Sequence, residues 1–351
     1  MEYEIPDNFF EGYEDPFGMK ASDYKQMVIT HINEKTYQIT YFDERGGAFT
    51  SNLVQKKWGV WMMGAMQYSE KNGKIHVMTA GTTDYEMGLK INGKGNTGWK
   101  SGNHGNYPSD KLHQAYIDSL TGEIDPSVYY NDRMLDITFY DAKTGEKLDI
   151  ARIGNSATAN GIRIVEHHNV YEFNYAKENI LLNVERSYLY NGYDVMCDSR
   201  LYATQELKYA PYIYSTMLPI FKEYGNCFMF YQEDGSTVYM KTPVINSVNG
   251  NQYGVDSTKI DVWGENNPKY HFIVTMNDPE ERYNGTSTIT PDVGMRNMDG
   301  GVMNKLYCAT FSDSGRLAWG DELHFNSIYS FSIQDDFVNP DREPDYWVGR
   351  Q

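Results

Sequence analysis

The chain has 351 residues, and its 48 acidic against 31 basic residues leave a formal net charge of −17. That length can bury a large core, and 40% hydrophobic with 23% charged residues excludes a disordered chain. An acidic surface repels phosphate backbones and anionic lipid, so neither nucleic acid nor membrane is expected as a partner.

Residues 1–20 read as an extended N-terminal arm bearing Phe9, Phe10, Tyr13 and Phe17. They show neither the basic nor the apolar region of a signal peptide, and no later stretch approaches the ~18 apolar residues of a membrane helix. The expected location is the cytoplasm or a virion. Residues 21–335 read as one β-sandwich domain. Strand signals surround Gly46-Gly47, Asn72-Gly73, Asn191-Gly192 and Asp234-Gly235, dipeptides that tolerate the positive φ of tight hairpins. Further strands are expected at 133–143, 146–154, 161–176, 260–264, 269–276, 305–312 and 322–333. One helix is expected over 108–122, capped by Ser109 and stopped by Gly122, and a helical turn around 206–213, limited by Pro211. Residues 336–351 form a polar tail with Tyr346 and Trp347. Aromatics reach 15% of the chain, which favours strands. The fold class is therefore all-β, a large antiparallel sandwich with one or two short helices.

Cys197, Cys227 and Cys308 are odd in number and lack CxxC spacing, which argues against a disulfide framework and a zinc site. No cofactor is implied. The loops 277–281 and 297–300 are acidic enough to hold calcium but lack the EF-hand spacing. His76 reads as a satisfied strand residue. Glu322 and His324, two apart on a strand, share a face, but no third metal ligand is in sequence reach.

Two constellations can carry chemistry. The glycine-rich stretch 93–106 reads as a sharply bending loop rather than a strand, presenting Trp99, Asn103 and His104. An Asn-His pair can polarise a carboxyl group and move a proton near neutral pH. In the second, strand alternation puts His167 and His168 on opposite faces, and Arg186, Tyr188 and Tyr190 on one face. An Arg with two tyrosines in line suits a carboxylated sugar, the Arg pairing its carboxylate while Tyr stacks or donates.

On the Gly102-Asn-His-Gly105 loop, the His167-His168 strand and the Glu185–Tyr190 strand, the sequence resembles β-sandwich modules of phage tail proteins. It also resembles the supersandwich domains of polysaccharide lyases and galactose-mutarotase-like proteins. The lyase resemblance implies β-elimination on an acidic polysaccharide. Asn103 and Arg186 would neutralise the uronate, His104 or His168 would take the C5 proton, Tyr190 would protonate the leaving oxygen, and Trp99 and Tyr188 would bind substrate. Expected partners are a polysaccharide or cell-surface glycan, and other virion proteins or further copies of the chain. Two alternatives stand beside the lyase: a non-enzymatic virion structural or receptor-binding protein, and an intracellular sugar epimerase.

Overall fold

The computed structural model describes residues 19–20, 22–55, 60–79, 86–93, 96–102, 132–171, 180–209, 213–232, 234–242, 257–276, 292–298, 302–311 and 315–346. Strands and no helix form among them. In chain order they are β1 (Gln26–Asn33), β2 (Thr36–Phe42), β3 (Ala48–Gln55), β4 (Trp61–Ser69), β5 (Ile75–Val77), β6 (Glu86–Gly93), β7 (Asn96–Gly102) and β8 (Asp132–Asp141). There follow β9 (Ser156–Asn160), β10 (Ile162–Tyr171), β11 (Ile180–Asn191), β12 (Asp194–Ala203), β13 (Leu207–Tyr209), β14 (Ile213–Phe221), β15 (Cys227–Tyr231) and β16 (Thr237–Lys241). The last are β17 (Lys259–Gly264), β18 (Asn267–Met276), β19 (Asp292–Met298), β20 (Met303–Phe311), β21 (Gly315–Leu317), β22 (Glu322–Ile333) and β23 (Asp345–Tyr346).

They pair into three sheets. A six-stranded sheet runs β5-β4-β3-β2-β1-β9, and a ten-stranded sheet runs β23-β16-β15-β17-β18-β22-β12-β11-β10-β8. The third runs β19-β20-β14-β6-β13-β21, with β7 paired to β6. Pairing is antiparallel except between β16 and β23. The expected hairpins form at all four turns. At the β11–β12 turn Gly192 has φ 65°, a left-handed conformation open to glycine at no steric cost.

The six- and ten-stranded sheets share one core. Ile29, Ile39, Phe49, Met63 and Tyr68 meet Ile162, Ile164, Tyr188, Phe272, Val274 and Phe331 there. These residues alternate along their strands, so each sheet has an apolar inner face and a second face of different composition. The C-terminal tail closes one end of the ten-stranded sheet. Phe337 packs edge-on against Trp263, and Trp263 Nε1–H donates to Asn339 Oδ1 at 2.8 Å.

Three expectations are corrected. The helical turn expected at 206–213 is strand β13 over Leu207–Tyr209, because its backbone pairs with both β6 and β21. Residues 146–154 form no strand, only an isolated bridge from Lys147 to Tyr140. The glycine-rich stretch is not wholly loop: Asn96–Gly102 pairs along β6 as strand β7. Glycine weakens a strand but does not block its backbone hydrogen bonds. The helix expected over 108–122 and the N-terminal arm to residue 18 lie outside the described residues.

Candidate functional site

Strands β10 and β11 are adjacent in register, with Ile164 opposite Tyr188, Glu166 opposite Arg186 and His167 opposite Glu185. The two-residue alternation sends Glu166, His168, Arg186, Tyr188 and Tyr190 to the inner face. All five are buried, none more than 1% exposed. Glu166 sits 3.1 Å from His168 Nδ1 and accepts the Trp61 backbone N–H at 2.7 Å. Arg186 donates to the Tyr188 hydroxyl at 3.3 Å, and that hydroxyl donates to the Trp61 carbonyl at 3.2 Å. The Arg-Tyr-Tyr stripe and His168 thus share the inner face. They form a buried layer against the start of β4 rather than the wall of an open cleft, with Glu166 opposite Arg186 in register and beside His168. Asn103 and His104 lie outside the described residues, and Trp99 is placed on β7 by its backbone alone.

The other face of the same strands is polar. Register aligns Asp136 of β8, His167 of β10, Glu185 of β11, Arg200 of β12 and His324 of β22 in one row across five neighbouring strands. His167 donates from Nδ1 to Asp136 at 2.8 Å and from Nε2 to Glu185 at 3.0 Å. A ring with a carboxylate at each nitrogen is an imidazolium, since both nitrogens must donate. Burial works against that charge, but the hydrogen bonds from Glu185 and Asp136 outweigh it and hold the His167 pKa above its ordinary value. Farther along the row, Arg200 Nε donates to Glu322 at 2.7 Å. His324 Nε2–H donates to Asp198 at 2.7 Å. Glu185 and Asp198 are almost fully buried, while His167, Arg200 and Glu322 keep partial access to solvent.

An open cleft of about 350 Å³ lies over the β8–β11 end of the row, lined by Tyr140, Arg163, Val165, His167 and Glu185. Its rim is the turn 141–145. There Asp141 Oδ1 accepts the backbone N–H groups of Lys143 and Thr144, each at 2.9 Å, and Oδ2 accepts that of Asn160 at 2.9 Å. The rim is therefore tied from three sides and the cleft is preformed.

Two imidazoles, each oriented by a carboxylate, stand three strands apart with a guanidinium between them. Strand spacing sets their Cα atoms roughly 14 Å apart. The His324 ring, held by one carboxylate through Nε2, is an imidazole of fixed tautomer, the arrangement general acid–base catalysis uses. No group of three or more His, Cys, Asp or Glu residues that could hold a metal is found among the described residues. Of this row the sequence singled out Glu322 and His324 for their spacing, and His167 for its position opposite His168. Asp136, Glu185, Asp198 and Arg200 were not distinguishable among so many acidic and basic residues. Register alone brings them together.

No protein-family model and no curated protein sequence matches the chain. Solved structures align with it at low identity. The galactosidase domain of an alpha-galactosidase–sucrose kinase aligns with TM-score 0.45 and 9% identity over 87% of this chain, which spans 42% of that one. A galactose mutarotase-like protein of Clostridium acetobutylicum aligns with TM-score 0.43 and 7% identity, over 89% of this chain and 99% of that one. The heparan sulfate lyase HepC of Pedobacter heparinus gives TM-score 0.31 and 11% identity, over 88% of this chain and 36% of that one. All three scores are below 0.5, and the sandwich architecture rests on the strand pairing of the chain itself.

Proposed function

We propose that the outer face of the ten-stranded sheet binds an uncharged saccharide and moves protons on it. The carrying observation is the row Asp136–His167–Glu185–Arg200–His324, with Glu322 and Asp198 paired into it. The Glu185 carboxylate and the His167 imidazolium line the cleft, and the carboxylates and imidazoles of the row suit ligand hydroxyls, which both donate and accept. The charge balance selects against a uronate. Among the described side chains, Asp136, Glu185, Asp198 and Glu322 stand with Arg163, Arg200 and the His167 imidazolium; His167 and Arg200 already bond carboxylates, and Arg163 bonds the Ser187 hydroxyl. A β-eliminating enzyme needs a cation left over for the substrate carboxylate, and Arg186, expected to supply it, is on the inner face. In this reading the carboxylate-held His324 imidazole moves the proton, and the His167 imidazolium, bonded through both nitrogens, holds Asp136 and Glu185 in place for ligand hydroxyls.

The test follows glucose, galactose, mannose and the β-1,4-linked tetrasaccharide of each by proton NMR, for anomeric exchange and for bond cleavage. Wild type is expected to convert at least one of them, and Glu185→Gln and His324→Ala to lose about 10²–10⁴ in rate. Binding without conversion would replace the enzyme by a glycan-adhesive protein, the virion reading among them. Neither binding nor conversion of any of the six would overturn the proposal.

A further inference from the structure

The strands of the six-stranded sheet carry no charged side chain. Not one Asp, Glu, Lys or Arg occurs in β1, β2, β3, β4, β5 or β9, although 23% of the chain is charged and its net charge is −17. The core accounts for this on the inner face. It does not account for the outer one, since a sheet face turned to water ordinarily carries charged residues among its polar ones.

Register lays that outer face out in rows. One row runs Gln67–Thr50–Thr40–Val28–Thr158 across five strands, and the next runs Asn52–Gln38–Thr30–Ser156. Apart from buried Thr50, these side chains are half-buried or exposed. Several hydroxyls already pair with one another, Thr40 with Thr50 at 3.3 Å and Thr30 with Ser156 at 2.8 Å, so less is lost when water leaves them. Phe42, Ile75 and Val77 border the rows on the same face, 66%, 58% and 45% exposed. Charge returns in the hairpin turns: Glu34-Lys35 after β1, Glu44-Arg45 after β2 and Glu70-Lys71 after β4, an acid beside a base each time. An uncharged centre inside a rim of both signs is the anatomy of a protein–protein interface.

We infer that the outer face of the six-stranded sheet packs against the same face of a second copy of this chain, as a two-fold dimer. Three features select the chain itself as the partner. The face opposes no like charges when it meets its own copy, whereas the rest of so acidic a surface is on balance self-repelling. The rim carries both signs, so it finds opposite charges on its own copy. Six strands of about eight residues span roughly 24 by 26 Å, or roughly 600 Å² before side-chain relief is counted, near the ~800 Å² per partner of a standard interface. Face-to-face stacking of sheets is also the packing that builds the protein's own core. The inference is independent of the saccharide reading, which concerns the other sheet.

The experiment is sedimentation velocity of the full chain between about 1 and 100 μM, a range in which interfaces of this size associate. Wild type is expected to sediment as a dimer. Gln38→Glu and Gln67→Glu, each setting a charge on the face, should weaken dimerisation about tenfold or more with the far-ultraviolet circular dichroism unchanged. Leu135→Glu, at an exposed position on β8 of the other sheet, should leave it intact. Hydroxyl-radical footprinting of wild type needs no variant and decides the matter if the glutamate variants do not fold. Oxidation of Phe42 should fall severalfold from dilute to concentrated protein, while that of Trp319, as exposed in the single chain at 65%, stays constant. A monomer at every concentration overturns the inference, whether or not it binds a glycan or another protein. So does any assembly that both glutamate variants leave intact and in which Phe42 stays as reactive as in dilute protein. An odd-numbered ring also overturns it, because a face that pairs with itself closes in twos.

Discussion

Glu185 is a carboxylate nearly sealed from water, and a lone charge there would shift toward its neutral form. His167 supplies the compensating proton, with Asp136 on its other nitrogen. The imidazole is thereby held protonated above its ordinary pKa. The sign follows. A raised folded-state pKa means that His167 contributes stability below the unfolded value near 6.5, and that this contribution is lost as pH rises through the raised one. In the proposed role the His167 imidazolium holds Asp136 and Glu185 in place, so activity should fall over that same rise. Glu185→Gln removes one of the two hydrogen-bonding carboxylates and should lower the His167 pKa. An NMR titration of the imidazole reads this directly, and an unchanged pKa in the variant would separate His167 from Glu185.

At the scale of strands, the hairpin dipeptides carry most of the order. Gly192 turns β11 into β12 and so sets the register that aligns Glu185 with Arg200. Gly192→Ala would force a Cβ into the left-handed region and within 3.2 Å of the Lys25 side chain. It should destabilise by about 1–2 kcal/mol, seen as a lower melting temperature. Such turns and the alternation between them are legible in sequence, which is why the β2–β3, β11–β12 and β15–β16 pairs can be read from residues alone. Other strands hide their signal. Pro219 interrupts the pattern of β14, yet its carbonyl side and neighbours still pair with β20. The glycines of β7 hide a strand inside what reads as a loop. For the site, alternation told that His167 and His168 diverge but not which faces inward. The Trp61 N–H reaching Glu166 decides that, and it comes from a strand more than a hundred residues earlier. The outer row needs the register of five strands drawn from 136 to 324, which no local pattern contains.

Across the whole molecule, the two large sheets are also joined by polar contacts within the core. Glu70, just past β4, accepts the Tyr270 hydroxyl of β18 at 2.7 Å and pairs with His76 of β5 at 2.8 Å. The Tyr270 hydrogen bond, with that of His76, lowers the Glu70 pKa to about 2 from an ordinary value near 4.5. A depressed folded-state pKa gives stability that is present above 4.5 and lost as pH falls toward 2. Urea unfolding at pH 7 and pH 3 should therefore show a loss in acid that Glu70→Gln reduces, and an equal loss in the variant would assign it elsewhere. The sandwich leaves one broad face of the ten-stranded sheet polar, and the central claim is that sugar binds on that face and not at the inner Arg186 stripe. The most direct measurement is the imidazole ¹H–¹⁵N spectrum of histidine-labelled protein titrated with the six neutral sugars. The account predicts that at least one sugar shifts His167 and His324 while the buried His168 and His271 stay in place. Shifts confined to His168, or none with any of the six, would contradict it.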